Sequence, residues 1–329
     1  MNKADNKCEI VFILGIMPRS GTHFLANLLC GHPDCKKSVL AEDGLVASSS
    51  LLAKYADVSN KEWEKDGVPE ANRAHGLLLK SIGDGLLAFL QNIRQDAISK
   101  KASFPDTLPR YLVTKTPQVI GLENFFKLFP QNKLLILVRD GRAVVESGNI
   151  SFNYDRERSS RQWRDAANNI IRFTKDTPQT SSNYLIVKYE ELHTQTEQEM
   201  RKILLFMDLD PDKYDFKKAL DMPVVGSSVF KRGDKAVSWL PVVKTADFDP
   251  LARASGWTRK QHERFNRIAG PQLEHFGYRP VVFDGNKQWW VLLNLFMDAR
   301  ECLSRLLRKA TWPVVRRFKA LKNSSAESK

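Results

Sequence analysis

Short, uninterrupted apolar runs recur along the chain and are separated by longer segments whose apolar residues have helical spacing. Four of these runs, at residues 10–14, 111–114, 134–138 and 184–187, have the length of buried strands. Buried strands that alternate with helices are typical of a parallel sheet covered by helices on both faces. We therefore predict an α/β fold whose ligand site lies at the carboxyl edge of the sheet.

Two segments depart from this alternation. Residues 53–110 are longer than one crossover needs, and we predict that they form a helical cap or substrate insertion over the carboxyl edge. From residue 287 onward, apolar residues at helical spacing form one stripe, with most basic residues outside it. The expected organisation is one domain over residues 1–280 and a basic amphipathic extension over 287–329.

The charge of the chain is uneven. Its 329 residues, 42% apolar and 27% charged, are an ordinary globular composition, but the net charge is +13. More than half of that charge, +7, lies in the last 43 residues. The rest of the chain is mildly basic, which suits an anionic cofactor and gives no sign of a nucleic-acid partner. A basic amphipathic helix fits an anionic membrane surface over residues 287–322, and docking on its own domain or in a homodimer is the alternative.

Cysteine content and targeting signals bear on disulfide bonding, metal binding and cellular location. Four cysteines are too few for a disulfide framework, and their spacing lacks a second ligand pair, so we expect no metal site. The sequence shows neither a signal peptide nor a transmembrane stretch of 18 apolar residues. The expected location is therefore the cytoplasm. A peripheral position on the inner face of the membrane is compatible with this expectation.

The loop at residues 15–24, GIMPRSGTHF, lies between the first apolar run and a segment with helical spacing. Its two glycines allow sharp turns, and the following helix N-terminus offers N–H groups to an anion. The nucleoside-triphosphatase pattern requires a lysine after the second glycine, which is absent here. An arginine with two hydroxyls suits a group with several terminal oxygens and no obligatory metal. The candidate ligands of this loop are Arg19, Ser20, Gly21, Thr22 and His23.

A second anion site is predicted after the run at 134–138. Arg139 ends that run, Gly141 begins a helix, and Ser147 lies two turns into it. An arginine beside a helix start is well placed to bind a phosphate, although an Arg–Asp surface turn is the alternative. Because both loops should open on the same edge of the sheet, the pair suits a nucleotide with phosphates at two separated positions.

The ordered motifs of the chain resemble those of the sulfotransferases that use 3′-phosphoadenosine-5′-phosphosulfate (PAPS), most of all the tyrosylprotein sulfotransferase-like branch. The motifs are PRSGT, HPD at 32–34, KTP at 115–117, FP at 129–130, VRDGR at 138–142 and VKYEEL at 187–192. The resemblance implies a P-loop-like sulfotransferase fold and sulfonate transfer from PAPS to an acceptor hydroxyl, without a metal. We expect a small-molecule or lipid-linked acceptor. The alternatives are tyrosine sulfation of a peptide and an ATP-dependent kinase.

The resemblance also implies catalytic roles. It places the general base in the pair Glu42 and Asp43, of which Glu42 is favoured and neither is excluded. It assigns Lys115 to the bridging oxygen of the leaving group, while Arg19 shares the sulfonate charge. His23 stands where the family has a second threonine, and we expect it to contact phosphate or pack at the helix start.

The remaining implied residues bind the cofactor. The first loop holds the 5′-phosphosulfate, and Arg139 with Ser147 holds the 3′-phosphate. Where the family has a basic residue four positions after this serine, the chain has Ser151. A glycine-bounded basic loop near residue 230 resembles the segment that other sulfotransferases fold over the 3′-phosphate. The further candidates are Tyr189, Ser228, Lys231 and Arg232.

Overall fold

The computed structural model describes residues 8–100, 109–177, 183–224, 249–285 and 288–303. Within them, five parallel strands form one sheet. The strands are β1 (Glu9–Gly15), β2 (Cys35–Lys37), β3 (Tyr111–Thr116), β4 (Lys133–Val138) and β5 (Tyr184–Lys188). Their spatial order is β2-β3-β1-β4-β5. The predicted parallel α/β fold is confirmed, and all four apolar runs form strands.

Helices follow most of the strands. They are α1 (Thr22–Leu29), α2 (Ser49–Lys65), α3 (Ala71–Lys100), α4 (Phe125–Leu128), α5 (Gly141–Phe152), α6 (Arg156–Asp176), α7 (Tyr189–Thr194), α8 (Thr196–Phe206), α9 (Phe216–Leu220), α10 (Arg259–His275) and α11 (288–303). Single 3₁₀ turns occupy Leu122–Asn124, Pro211–Lys213 and Ala252–Ala254.

The central strand β1 is buried on both faces, as an uninterrupted apolar run requires. Val11 and Ile13 face a core that includes the apolar residues of α1 and α8. On the opposite face, the ring of Phe12 packs 5.2 Å from that of Phe125 and 4.8 Å from that of Phe129. Side chains that alternate across a strand thus hold helices on both sides of the sheet.

The strand order indicates where along the sheet a ligand-binding crevice can form. β1 lies between β3 and β4, so successive crossovers run to opposite sides of it. Such a reversal opens a crevice at the carboxyl ends of the strands. The loops that leave β1 and β4 start side by side, because Gly15 is in register with Leu137 and Ile16 N donates to Leu137 O at 2.9 Å.

The segment predicted as a cap is helical over residues 53–65 and 71–100, and the start of α2, just before this segment, lies near that edge. Ser49 Oγ, at the start of α2, donates to the carbonyl of Gly121 at 3.1 Å, beyond the end of β3. In α3, Gln91 Nε2 instead donates to the carbonyl of Cys8 at 2.6 Å, directly before β1. This contact places the middle of α3 near the amino end of β1, while the role of residues 53–110 as a cap stays a prediction and residues 101–108 lie outside the described residues.

The chain divides into two compact units. One contains residues 1–256 and 271–279, and the other contains residues 257–270 and 280–329. Helix α11 of the predicted extension therefore groups with residues 257–270, while the exact domain boundary stays a prediction. No helix in the described part of the chain has the length and apolarity needed to cross a membrane.

Candidate active site

The loop after β1 turns sharply into α1. Gly21 has φ 97°, and a Cβ atom at this position would lie 2.3 Å from two ring carbons of Tyr189. Both the left-handed backbone and this close approach require glycine. Arg19 also has a positive φ, 78°, which is uncommon outside glycine and typical of functional loops.

The hydroxyl of Ser20 and the N-terminus of α1 lie together in this loop. Ser20 is fully buried, and its Oγ has no hydrogen-bond partner among the described residues. Gly21, the N-cap of α1, provides no side-chain bond to the first helical turn. A buried hydroxyl and open N–H groups at a helix N-terminus fit an anion with several oxygens.

Predicted residues from three strands meet beside the loop. Arg139 Nη1 donates to the carbonyl oxygen of Arg19 at 2.9 Å, and Arg19 Nε donates to Ser147 Oγ at 3.0 Å. The guanidinium carbon of Arg139 lies 4.1 Å from the ring centroid of Tyr189, a cation–π contact. The buried Nε of Arg139 has no partner among the described residues. Two arginines and a hydroxyl therefore form one cationic group next to the loop.

Hydrogen bonds behind Arg139 fix its backbone. Trp163 Nε1 donates to the carbonyl of Arg139 at 3.2 Å, and the N–H of Asp140 donates to Glu190 Oε1 at 3.0 Å. Tyr278 donates its hydroxyl proton to Glu190 Oε2 at 2.6 Å. Burial raises the pKa of the Glu190 carboxyl. Because these supporting groups are buried, Arg139 is held in place before any ligand arrives.

On the other side of the loop, Lys115 projects from β3, which pairs with β1 on the side opposite to β4. Its Nζ lies 3.3 Å from Glu42 Oε1. The Lys115 side chain is 8% exposed and that of Glu42 is 49% exposed. The ammonium is thus sheltered at the strand end, and the carboxylate remains open to a substrate.

The geometry separates the two acidic candidates. Asp43 Oδ2 accepts from Thr114 Oγ1 at 2.7 Å and from Thr116 Oγ1 at 3.1 Å. Its other oxygen accepts from the N–H of Leu45 at 2.8 Å. Asp43 therefore ties its own loop to β3, whereas Glu42 is half exposed and pairs with Lys115.

Comparison with known proteins agrees with this geometry. Residues 11–213 match the sequence profile of the sulfotransferase family. The chain belongs to this family. This match confirms the family that the motifs predicted.

Curated relatives of this sulfotransferase are described as protein-tyrosine sulfotransferases. One from Caenorhabditis elegans is 25% identical over 84% of this chain and 69% of its own length. One from Drosophila melanogaster is 28% identical over 84% of this chain and 53% of its own length. A solved Mycobacterium avium sulfotransferase aligns at 15% identity with a TM-score of 0.46, over 83% of this chain and 78% of its own. The chain thus spans between about half and two thirds of these curated relatives.

A third arginine of the sulfotransferase was not predicted. Arg253 belongs to the turn Ala252–Ala254, which packs against α5, the helix that contains Ser147. Burial, together with the nearby charges of Arg139 and Arg253, lowers the pKa of Arg19 to about 10. Burial and the charge of Arg139 also lower the pKa of Arg253. No motif marks Arg253, because it reaches the site from a separate turn far along the chain.

His23 lies in the first turn of α1, towards the Lys115 side. Burial lowers the pKa of its imidazole, and the nearby charge of Lys115 lowers it further, whereas Glu42 raises it. The neutral ring is therefore favoured at physiological pH, which suits a hydrogen bond to an anionic oxygen rather than an ion pair.

Three predicted cofactor residues, Ser228, Lys231 and Arg232, lie outside the described residues. Arg142, the second arginine of the VRDGR motif, forms an ion pair with Asp140, with Nη2 2.6 Å from Oδ2. The arginine of this motif that contacts the loop is therefore Arg139. In the described ranges, no group of three or more His, Cys, Asp or Glu side chains is arranged to hold a metal ion.

Proposed function

We propose that the protein transfers the sulfonate group of PAPS to an acceptor hydroxyl. The observation that supports this most directly is the contact of Arg19 with both Arg139 and Ser147 beside the first loop. This joins two anion-binding segments that lie far apart in the sequence. A single bisphosphorylated nucleotide with a terminal sulfonate needs such a pair, together with a separate cation for its leaving oxygen.

The order of strands along the edge supports one orientation of the donor. The loop after β1 is central and would hold the 5′-phosphosulfate through Ser20, Thr22 and the N–H groups of α1. The β4 and β5 side would hold the 3′-phosphate through Arg139 and Ser147. The β3 side, with Lys115, would then face the sulfonate and the acceptor.

The residues on the β3 side fit an in-line displacement. The acceptor oxygen forms a bond to sulfur while the bond from sulfur to the 5′-phosphate oxygen breaks. Glu42 takes the proton of the acceptor hydroxyl, and Lys115 stabilises the charge on the departing phosphate oxygen. Positioning and charge stabilisation dominate such transfers, as in phosphoryl transfer.

Arg253 is proposed as an additional ligand of the 3′-phosphate. The family resemblance expects a basic residue where this chain has Ser151, which is buried in α5. The turn that contains Arg253 packs against the same helix, and the charge of Arg253 acts on both Arg19 and Arg139. A cation from another segment thus replaces the one that is missing from α5.

Calorimetric titration with 3′-phosphoadenosine-5′-phosphate (PAP), the product left by PAPS, tests the donor site. Arg139→Ala should weaken PAP binding about 10- to 150-fold, since a hydrogen bond to a charged group contributes about 1.5–3 kcal/mol. Arg253→Ala should have a smaller effect in the same direction. Arg142→Ala is the matched control, because Asp140 already neutralises Arg142. Absence of heat with the unmodified protein, or equal heat after loss of both Arg19 and Arg139, would contradict the proposal, and tighter binding of ATP with Mg²⁺ would favour a kinase.

The acceptor class belongs to the same proposal. Because Glu42 is half exposed and reached from solvent, the site suits a hydroxyl presented on a small molecule or a lipid-linked compound. The relatives named protein-tyrosine sulfotransferases make a tyrosine peptide the competing acceptor. A screen of radiolabelled sulfate transfer over phenols, sugars, lipid-linked alcohols and tyrosine peptides decides between them, and transfer to tyrosine peptides alone would reject the small-molecule acceptor.

Lys115 should set an alkaline limit to activity. Burial lowers the pKa of its ammonium below the ordinary 10.5, and the nearby Glu42 carboxylate only partly opposes this. Because the protonated form stabilises the leaving oxygen, kcat/KM for PAPS should fall as the pH rises through the lowered pKa. Lys115→Arg retains its charge and should move the fall to higher pH. A profile from about pH 7 to 11 measures this, and an unchanged alkaline fall in the arginine variant would assign it to another group.

A further inference from the structure

Helix α11 is fixed to its own compact unit by a buried polar face. Arg264 Nη2 donates to Asp298 Oδ1 at 2.8 Å, and Arg264 Nη1 donates to Asn294 Oδ1 at 3.2 Å. Arg264 and Asn294 are both buried. A buried arginine that is satisfied by two side chains one helical turn apart determines which face of α11 points inward.

The outward face of α11 is apolar. Its large residues are between 47% and 67% exposed, whereas those of an ordinary surface helix point into the core. They are Trp289, Val291, Leu292, Leu295, Phe296 and Leu303. At helical spacing these residues form one continuous stripe, which is unusual on a water-facing surface. Trp290, Leu293 and Met297 are half-buried beside Asn294, so apolar residues occupy both the inward and the outward face of α11.

The chain beyond this stripe is strongly basic. Residues 304–329 contain eight Lys or Arg residues and one Glu, a net charge of +7. Two tryptophans, Trp289 and Trp290, stand at the start of the helix, the residue type that concentrates at membrane–water interfaces. An exposed apolar stripe that is followed in the sequence by a basic segment matches a phospholipid bilayer, whose acyl interior is apolar and whose headgroups can be anionic.

We propose that the outward stripe of α11 docks on an anionic phospholipid surface. The sequence that follows the stripe carries a net charge of +7, and this favours an anionic surface over a second, equally basic copy of the chain. The proposal concerns the 257–270 and 280–329 unit and does not depend on the sulfotransferase chemistry.

Vesicle flotation with the full chain tests the proposal. Vesicles of phosphatidylcholine with about one third phosphatidylglycerol should bind the protein, and phosphatidylcholine alone should bind it much less. Trp289→Ser with Phe296→Ser should lower the partition coefficient about ten-fold or more, because two large apolar groups lose their contact with lipid. The matched control is Leu51→Ser with Leu205→Ser, two residues of similar exposure on α2 and α8, which should leave the partition unchanged.

Three results would overturn the lipid surface as the occupant. The first is equal flotation of the stripe variant and the unmodified protein. The second is a dimer in light scattering that the stripe variant disrupts and that does not bind vesicles, which assigns the stripe to a second copy. The third is a monomer that does not float and in which Trp289 is shielded from a soluble quencher. That result would mean that residues 304–329 of the same chain cover the stripe. Circular dichroism and thermal unfolding verify that each variant is folded.

Discussion

Glu42→Gln is expected to lower kcat by about 10²–10⁴-fold, the range for loss of a positioned general base. The amide has nearly the shape of the carboxylate but cannot take the proton of the acceptor hydroxyl. Since Glu42 lies on the β3 side of the loop, away from Arg139, the affinity for PAP should stay within about two-fold. Initial rates at saturating PAPS, with PAP calorimetry beside them, measure both quantities.

Asp43→Asn is the matched control for this prediction. Asp43 accepts three hydrogen bonds that tie its loop to β3, so its amide variant should lose stability more than chemistry. We expect a lower Tm and a smaller decrease in kcat than in Glu42→Gln. If the two variants exchange these behaviours, Asp43 is the base; if both retain full turnover, the base lies elsewhere.

Lys115→Ala is expected to lower kcat by about 10²–10³-fold, as for the removal of one preorganised electrostatic stabiliser. The ammonium is sheltered at the end of β3, where its charge is weakly screened by water. A stopped reaction with radiolabelled PAPS at saturating acceptor measures the loss.

Lys37→Ala provides the comparison for Lys115. Lys37 ends the neighbouring strand β2, and its ammonium donates to Asn27 at the surface. Its removal should change kcat by no more than about three-fold, because an exposed charge is screened. Equal decreases in the two variants would show that general positive charge on this side, rather than Lys115 itself, supports turnover.

The sequence predicted that Arg19 and Arg139 would lie at the same edge of the sheet, and the family resemblance added Tyr189. These residues follow three strands that are adjacent in the sheet, and parallel strands bring their carboxyl ends to one edge. Their roles in binding the donor stay predictions. Strand β2, which has only three residues, carries no apolar run and was not predicted.

The sequence did not decide features that depend on partners far along the chain. Glu42 and Asp43 are neighbours with the same chemistry, and only Thr114 and Thr116 on β3 separate their roles. Arg253 enters from a turn that no local pattern links to the motifs. The course of α3 likewise depends on contacts such as that between Gln91 and Cys8, which helical spacing does not encode.

The aromatic ring beneath Gly21 couples parts of the site that the sequence keeps separate. Tyr189 occupies the space that a methyl group at position 21 would need, and its ring also contacts the guanidinium of Arg139. A shift of the ring would therefore disturb both the first loop and Arg139, the two segments proposed to bind the ends of the donor. Natural or laboratory variation that retunes one end of the nucleotide pocket must leave this stack intact, so new donor preferences should arise at its periphery.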